Sequence, residues 1–434
     1  MLPKLREHPN YFYKNPDVLV SNSIPDPLIL GSGDEIFQSV LPEVERAESE
    51  LVIVTCFWAR SSSRDRLNSS LQKLSSRVVQ EGKPRIKVFI GLSSVSLLQK
   101  LFHTSSTNGY TYRPSEWQSK LGLPSPTELN GLDLTVKSMF FLPFSVMHPK
   151  FIIVDRKTVF LPSCNVSWET WFEGCVRLAG PIVAKFVDFW SSFWLPHGGT
   201  FPSESQAEHM QSHLNEDRPA MIGRGVLSVF LPSPHHRNPC FRPFPWQRAM
   251  APPATPLNVF LVTLLSSATT TIYIQTPNVT APPVLSGLLD ALQRGVDVHI
   301  VTSERLMILE QLVTAGTTTT QCLKGLIRRY KRFLVQANSR DEEAGLRSLG
   351  QLRIEYYTPR SGRGIAEPIQ SHLKLTIVDN QWVVLGSGNL DRASFYTSQE
   401  LGVAFLDTAF AKNVVDTVDA ALQGRKKLYF ASTI

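Results

Sequence analysis

Two stretches, HPKFIIVDRKTVFLPSCN (148–165) and HLKLTIVDNQWVVLGSGN (372–389), carry the same His-x-Lys-x4-Asp followed by Ser-x-Asn, at one internal spacing. They begin 224 residues apart, at His148 and His372. A chain that repeats so specific a stretch at so long a period is expected to fold as two similar units, each with its own copy. What surrounds the copies repeats as well. ELVIVTCFWA (50–59), a helix-like RDRLNSSLQKLSSRVVQ and RIKVFIGL (85–92) stand ahead of the first. TTIYIQTPNV (270–279), PPVLSGLLDALQRG and VDVHIVTS (296–303) stand ahead of the second, with Gly295 where a helix stops and a strand begins. Strand–helix–strand order in both halves argues for an α/β sandwich.

The division expected is 30–195 for the first unit and 257–434 for the second. Between them, 196–256 is rich in proline and holds His197, His209, His213, His235 and His236. Their spacing fits no metal-ligand pattern and no cysteine pair flanks them, so the segment reads as an irregular connection. Five cysteines, Cys56, Cys164, Cys175, Cys240 and Cys322, are scattered without a Cys-x-x-Cys pair, which argues against a disulfide framework.

Within each copy, alternation on a strand places His148 with Lys150, and His372 with Lys374, on one face. The polar breaks Asp155-Arg156-Lys157 and Asp379-Asn380-Gln381 read as hairpin turns. Centring each hairpin between Arg156 and Lys157, and between Asn380 and Gln381, sets Asn165 opposite His148 and Asn389 opposite His372. Ser163 then faces Lys150, and Ser387 faces Lys374. An ammonium, a hydroxyl and a carboxamide suit phosphate oxygens, and an imidazole can attack phosphorus or move a proton near neutral pH. Two copies supply two histidines, the minimum for a phosphodiester displacement that passes through a covalent intermediate without a metal. Glu173 and Glu400 are candidates to accept from the second nitrogen of an imidazole. A half-buried strand ending in a turn would explain one such motif, but it does not require an outward His-Lys pair in both.

On these residues the chain resembles the phospholipase D superfamily, whose signature is two such motifs, one in each half. The resemblance spans roughly 30–195 and 257–425. It implies an α/β/α sandwich in each half, with the two motifs meeting at a pseudo-twofold interface. It implies further that one histidine forms a phosphohistidine while the other serves as acid and then base. Carried onto this chain, His148 is the nucleophile and His372 the acid/base. Lys150, Ser163, Asn165, Lys374, Ser387 and Asn389 bind phosphate. Asp155 and Asp379 complete the catalytic set as supports of the hairpins, and no metal or cofactor is implied. The second copy, GSGNLDRASFYTSQELGVAF, is also similar to bacterial-type cardiolipin synthases and related phosphatidyltransferases. IQTPNV (274–279) is similar to a strand end of those enzymes, with Asn278 in place of an aromatic residue. The first copy departs in having Pro162 where the second has Gly386.

Trp168, Trp171 and Phe172 follow Asn165 closely. They either line the cleft mouth, against acyl chains or a base, or form an aromatic core cluster. CLKGLIRRYKRF (322–333) reads as an amphipathic basic helix that docks on anionic headgroups or is an ordinary solvated helix. SMFFLPFSVM (138–147) is read as core. A net charge of +7, from 44 Lys+Arg against 37 Asp+Glu, favours anionic partners. No run reaches the roughly 18 apolar residues of a membrane span, and the first residues lack a signal-peptide core. The expected location is therefore cytoplasmic or peripheral to a membrane.

The reading that follows is a phosphodiesterase or phosphatidyltransferase of phospholipase D type, acting on glycerophospholipids at an anionic or zwitterionic membrane surface. With both motifs in one chain, a monomer suffices. The alternative is a nuclease of the same family that cleaves DNA or RNA. Tyrosyl-DNA phosphodiesterases are disfavoured because both motif aspartates are present here. Intact His and Lys in both copies argue against a binding module that has lost its activity.

Overall fold

The computed structural model describes residues 16–96, 99, 108–141, 145–195, 225–234, 251–338, 349–360 and 367–432. The first 15 residues, the five histidines of the connecting segment, Cys240 and most of 196–256 lie outside them. Four cysteines, Cys56, Cys164, Cys175 and Cys322, are free thiols.

The first half runs β1 (Val20–Pro25), β2 (Ile29–Gly31), α1 (Gly33–Val44), β3 (Glu50–Phe57), α2 (Ser62–Gln80), β4 (Ile86–Ser94), β5 (Leu132–Ser138), β6 (Phe151–Val154), β7 (Thr158–Pro162), β8 (Trp171–Ala179) and α3 (Ile182–Trp194). The second begins inside the segment expected to be irregular, with the regular strand β9 (Val226–Ser233), and runs on through α4 (Pro256–Ser267), β10 (Thr271–Gln275), α5 (Pro282–Gln293), β11 (Asp297–Thr302), α6 (Ile308–Ala315), α7 (Thr319–Asn338), β12 (Leu352–Tyr357), β13 (Leu375–Val378), β14 (Trp382–Gly386), α8 (Arg392–Tyr396), β15 (Glu400–Leu406), α9 (Thr408–Leu422) and β16 (Lys426–Ala431). The helix starts follow from local chemistry. Ser32 and Ser61 cap α1 and α2, and Pro256 and Pro282 occupy first-turn positions where the missing N–H costs nothing. Gly295, at φ 89°, lets the chain leave α5 and enter β11.

The two sheets have one topology. In the first, the order is β5-β4-β3-β6-β7-β8, with β5, β4 and β3 parallel and the rest antiparallel. In the second, β12-β11-β10-β13-β14-β15 repeats that order and those directions. This is the tandem α/β/α arrangement expected from the repeat. Strand β1 joins the sheets: Val20–Ser23 pair with β9, which itself pairs with β15, and Ile24 and Pro25 pair with β8.

Three cores hold the layers. One lies between β3, β4, β6 and helices α1 and α2, and another between β10, β11 and helices α4, α5 and α7. The third is shared. Phe151, Phe172, Phe186 and Phe189 of the first half pack with Phe230, Leu373, Val403 and Phe405 of the second. Burying that much aromatic and aliphatic surface, at about 25 cal/mol per Å², binds the halves into one body. Met139, Phe140, Phe141 and Met147 are buried as expected, with 142–144 outside the described residues.

Candidate active site

Both motif turns are built alike. Asp155 and Arg156 have φ 51° and 54°, and Asp379 and Asn380 have φ 53° and 51°. Two successive left-handed residues make the tight primed turn that suits the twist of a hairpin, and Asp and Asn tolerate that region best. Each aspartate then ties its turn to the first strand of its own sheet. Asp155 accepts from the backbone N–H of Glu48, Ser49 and Glu50 and from the Ser49 hydroxyl. Asp379 accepts from the N–H of Thr269, Thr270 and Thr271 and from two threonine hydroxyls. Burial pushes Asp379 up, but these donors outweigh it and hold the carboxyl down at about 2. Seven residues of extended chain, about 23 Å, separate each aspartate from its histidine. Both aspartates therefore stand outside the cluster of reacting groups, at the far ends of the hairpins.

The register differs from the expected one. Val154 pairs with Thr158 and Ile152 with Phe160, and in the second copy Val378 pairs with Trp382 and Leu375 with Leu385. The hairpins are centred on Arg156 and Asn380, because the turn is followed by one further loop residue. A slip of one residue exchanges the faces of a strand. Ser163 and Ser387 consequently do not face the lysines, and Asn165 and Asn389 do not lie directly opposite the histidines. Asn165 accepts from the N–H of Phe57 at 3.3 Å, and the Asn389 amide donates to Asp391 at 3.1 Å. The hydroxyl of Ser163 donates to Glu173 and accepts from the N–H of Gly174; that of Ser387 donates to Glu400 at 2.5 Å and accepts from the N–H of Leu401. The serines are committed to the glutamates instead of standing ready for a phosphate.

The glutamates then cross between the halves. His372 Nδ1 lies 2.8 Å from Glu173 of the first half, and His148 Nδ1 lies 2.8 Å from Glu400 of the second. Backbone pairing across the interface sets these contacts. The N–H of His372 donates to the carbonyl of Phe172, and that of His148 to the carbonyl of Gln399, so each histidine sits beside the residue that precedes the opposite glutamate. Trp171 and Phe172 also pair in parallel with Gln370 and Ser371. A ring nitrogen facing an ionised carboxylate carries its hydrogen towards it, which leaves each Nε2 with its lone pair; Lys374 Nζ also lies 2.8 Å from His372 Nδ1.

Lys150 and Lys374 complete the centre. Both are buried, and each ammonium folds back on the carbonyl of its own histidine, at 2.9 and 2.6 Å. Burial pushes Lys374 down to about 7, the neighbouring carboxylates opposing it. Burial also lowers both imidazoles, with their glutamates pulling the other way. Both glutamates stay below the ordinary carboxyl range because the facing histidines, lysines and serine hydroxyls outweigh the cost of burial. Both glutamates are thus held ionised and both imidazoles neutral, with the two buried lysines beside them.

The two copies are not equivalent. Trp171 lies over His372 with ring centroids 4.6 Å apart, and the side chain of His372 is 3% exposed against 15% for His148. Two residues before Glu400, where Trp171 would be repeated, stands Ser398. Of the three aromatic residues after Asn165, Trp168 is exposed against Phe57, Trp171 covers a histidine, and Phe172 is core. Sequence reasoning missed Ser394, whose hydroxyl holds the second oxygen of Glu400 at 2.8 Å. Only its place within the family-like run GSGNLDRASF could have pointed to it. Pro162 pairs with Cys175, while a Cβ at the equivalent Gly386 would fall 2.3 Å from the carbonyl oxygen of Leu401. The strand ends therefore differ locally while the reacting groups remain paired across the interface.

Residues 261–421 match the family described as cardiolipin synthase, PLD-like domain. Phosphatidylserine synthase from Haemophilus influenzae Rd KW20 shares the fold at a TM-score of 0.58 and 14% identity, over 94% of this chain and 89% of that one. Nuc, a phospholipase D family member from Salmonella typhimurium, aligns at 23% identity and a TM-score of 0.28, over 41% of this chain and 93% of its own. Polyphosphate kinase from Porphyromonas gingivalis aligns at 11% identity and a TM-score of 0.47, over 93% of this chain and 48% of its own. No curated protein sequence is matched.

Proposed function

We propose that this chain, a member of the phospholipase D superfamily, hydrolyses or transphosphatidylates glycerophospholipids through a phosphohistidine, with residues 30–195 and 257–434 as its two units and 196–256 as their connection. The observation that carries the proposal is the reciprocal pairing of two imidazoles with two carboxylates of opposite halves. In this reading Nε2 of His148, the more exposed ring, attacks phosphorus. His372, which takes up a proton at Nε2 when the anionic phosphate enters, gives that proton to the oxygen of the leaving alcohol as the bond from phosphorus to the headgroup breaks. His372 then removes a proton from water or an alcohol, whose oxygen displaces His148 and yields phosphatidic acid or a phosphatidyl-alcohol. Glu400 and Glu173 stabilise whichever ring is cationic. Lys150 and Lys374 offset the charge on the non-bridging oxygens, and Asn165 and Asn389 serve in this reading as neutral amide donors to them. Asp155 and Asp379 act only by holding the hairpins.

The test offers the purified chain phosphatidylcholine or phosphatidylglycerol vesicles with a primary alcohol, and separately single- and double-stranded DNA. Headgroup release or phosphatidyl-alcohol formation is expected; cleavage of DNA alone would replace the lipid reading with the nuclease one. His148→Ala and His372→Ala should each lower kcat by at least about 10³-fold, since each removes an obligatory partner in bond making or proton transfer. Undiminished turnover in either variant would end the two-histidine scheme.

A further inference from the structure

Helix α6 (Ile308–Ala315) is inside out. Ile308, Leu309, Leu312 and Val313 are exposed, Leu309 at 77%, whereas the polar Gln311 and Thr314 are buried. A surface helix ordinarily turns its apolar stripe to the core and its polar stripe to water. Here the buried glutamine fastens the helix down. Its amide donates to Asn278 Oδ1 at 2.8 Å and to the carbonyl of Leu306, and its oxygen accepts from the N–H and hydroxyl of Thr319. Asn278 lies two residues beyond Thr276, whose hydroxyl holds the N–H of Leu390, next to Asn389. The aliphatic face is therefore anchored rigidly beside the candidate active site. The turn into the helix is built for this placement at some strain, with the non-glycine residues Arg305 and Met307 at φ 61° and 50°.

The apolar face continues along one rim of the cleft. The carbonyl of Glu304 accepts from the Gln370 side chain, and the N–H of Ile369, itself exposed, donates to the carbonyl of Thr170. Thr170 adjoins Trp171 over His372, and two residues earlier stands Trp168, 62% exposed. The segment that carries this face is basic, with Arg305 before α6 and Lys324 in the first turns of α7 nearest to it. Between Glu304 and Gln336 the chain has six basic residues, Arg305, Lys324, Arg328, Arg329, Lys331 and Arg332, against two acidic ones, Glu304 and Glu310. The five on α7 are all exposed, while Leu323, Leu326 and Tyr330 bury its other face.

We infer that α6, with Ile369 and Trp168, is an interfacial wedge that seats the cleft on an anionic lipid bilayer. The aliphatic side chains enter the acyl boundary while Arg305 and Lys324, the cations nearest α6, meet the headgroups and the remaining basic residues of α7 add longer-range attraction. This inference rests on the lipid reading of the same site. A bilayer is favoured over a second copy of the chain because two copies would bring like positive charges together, whereas apolar side chains bordered by cations complement anionic headgroups above an acyl layer. The docked helix brings substrate phosphates to the rim from which His372 and His148 are approached.

The experiment uses the full chain with vesicles of phosphatidylcholine alone or mixed with phosphatidylglycerol, and compares wild type with L309D/L312D. Both leucines are exposed, so the variant is expected to fold. Wild type should sediment with mixed vesicles, more weakly with phosphatidylcholine alone, and less as salt rises. L309D/L312D should lose at least about tenfold in the bound fraction and in vesicle turnover. Its kcat/KM on a short-chain phospholipid held below its micellar concentration should match wild type. Unchanged vesicle binding in the variant, with both chains turning over lipid, overturns the wedge and leaves the lipid reading intact. Vesicle binding lost in the variant, with turnover of DNA alone, keeps the wedge and overturns that reading. A wild-type dimer by light scattering that L309D/L312D converts to monomer assigns the face to a second copy and overturns the wedge.

Discussion

Glu173 and Glu400 face histidines that lie 199 and 252 residues away in the chain, and each is held by a serine of its own motif. The carboxylate raises the proton affinity of the ring it faces and fixes which nitrogen carries hydrogen. Glu173→Gln removes the charge but keeps an acceptor. It is expected to lower the pKa of His372 further while leaving that of His148 in place, which an NMR titration of the two imidazoles reads directly. The same substitution should cut kcat by about 10²-fold with little change in KM, because the charge acts when the ring becomes cationic. An equal shift in both rings would mean that the pairing is not selective. The histidines and lysines were legible in the sequence because their types and spacing repeat, and the glutamates because each follows its motif closely, although at unequal distances. Which glutamate serves which histidine was not, since strand pairing across an interface leaves no local pattern in one chain.

The hairpin is the element that presents each His-Lys pair, and its turn aspartate is a fastening. Asp379→Ala should lower the free energy of unfolding by about 1–2 kcal/mol, as three backbone N–H groups and two hydroxyls lose one shared acceptor at a partly exposed site. Urea denaturation checks the loss. Properly folded variant should keep its kcat, which separates a fastening from a reacting group. The folded carboxyl is held at about 2, below the unfolded value near 3.9. Its contribution is therefore complete above about pH 4 and is lost as pH falls towards 2, and Asp379→Ala should flatten that part of the stability profile. The hairpins themselves were legible from the polar breaks within apolar runs. Their register was not, because it depends on one loop residue beyond the turn at Lys157 and Gln381, and that single residue redirected Ser163 and Ser387 from the lysines to the glutamates.

At the scale of the molecule, the duplicated strand order could be read from the alternating patterns around each motif. The strand that links the sheets could not, because β1 is short and only partly buried, and its two partners, β8 and β9, come from different halves. Among the described residues no helix is long and apolar enough to cross a membrane. Since each half holds the acid for the histidine of the other, either half expressed alone should be inactive. Co-expression should restore turnover with the two halves in a one-to-one complex, measured by activity and size-exclusion mass. Activity in a single half as a monomer would contradict the crossed arrangement.

That crossing also bears on how such a chain can change over generations. The copies have already drifted, with Pro162 against Gly386 and Trp171 against Ser398. Ordinarily one member of a duplicated pair is free to decay while the other carries on. Under the proposed function, decay of either glutamate would disable the histidine of its twin, so neither copy could become a passive scaffold and selection on one would be enforced through the other.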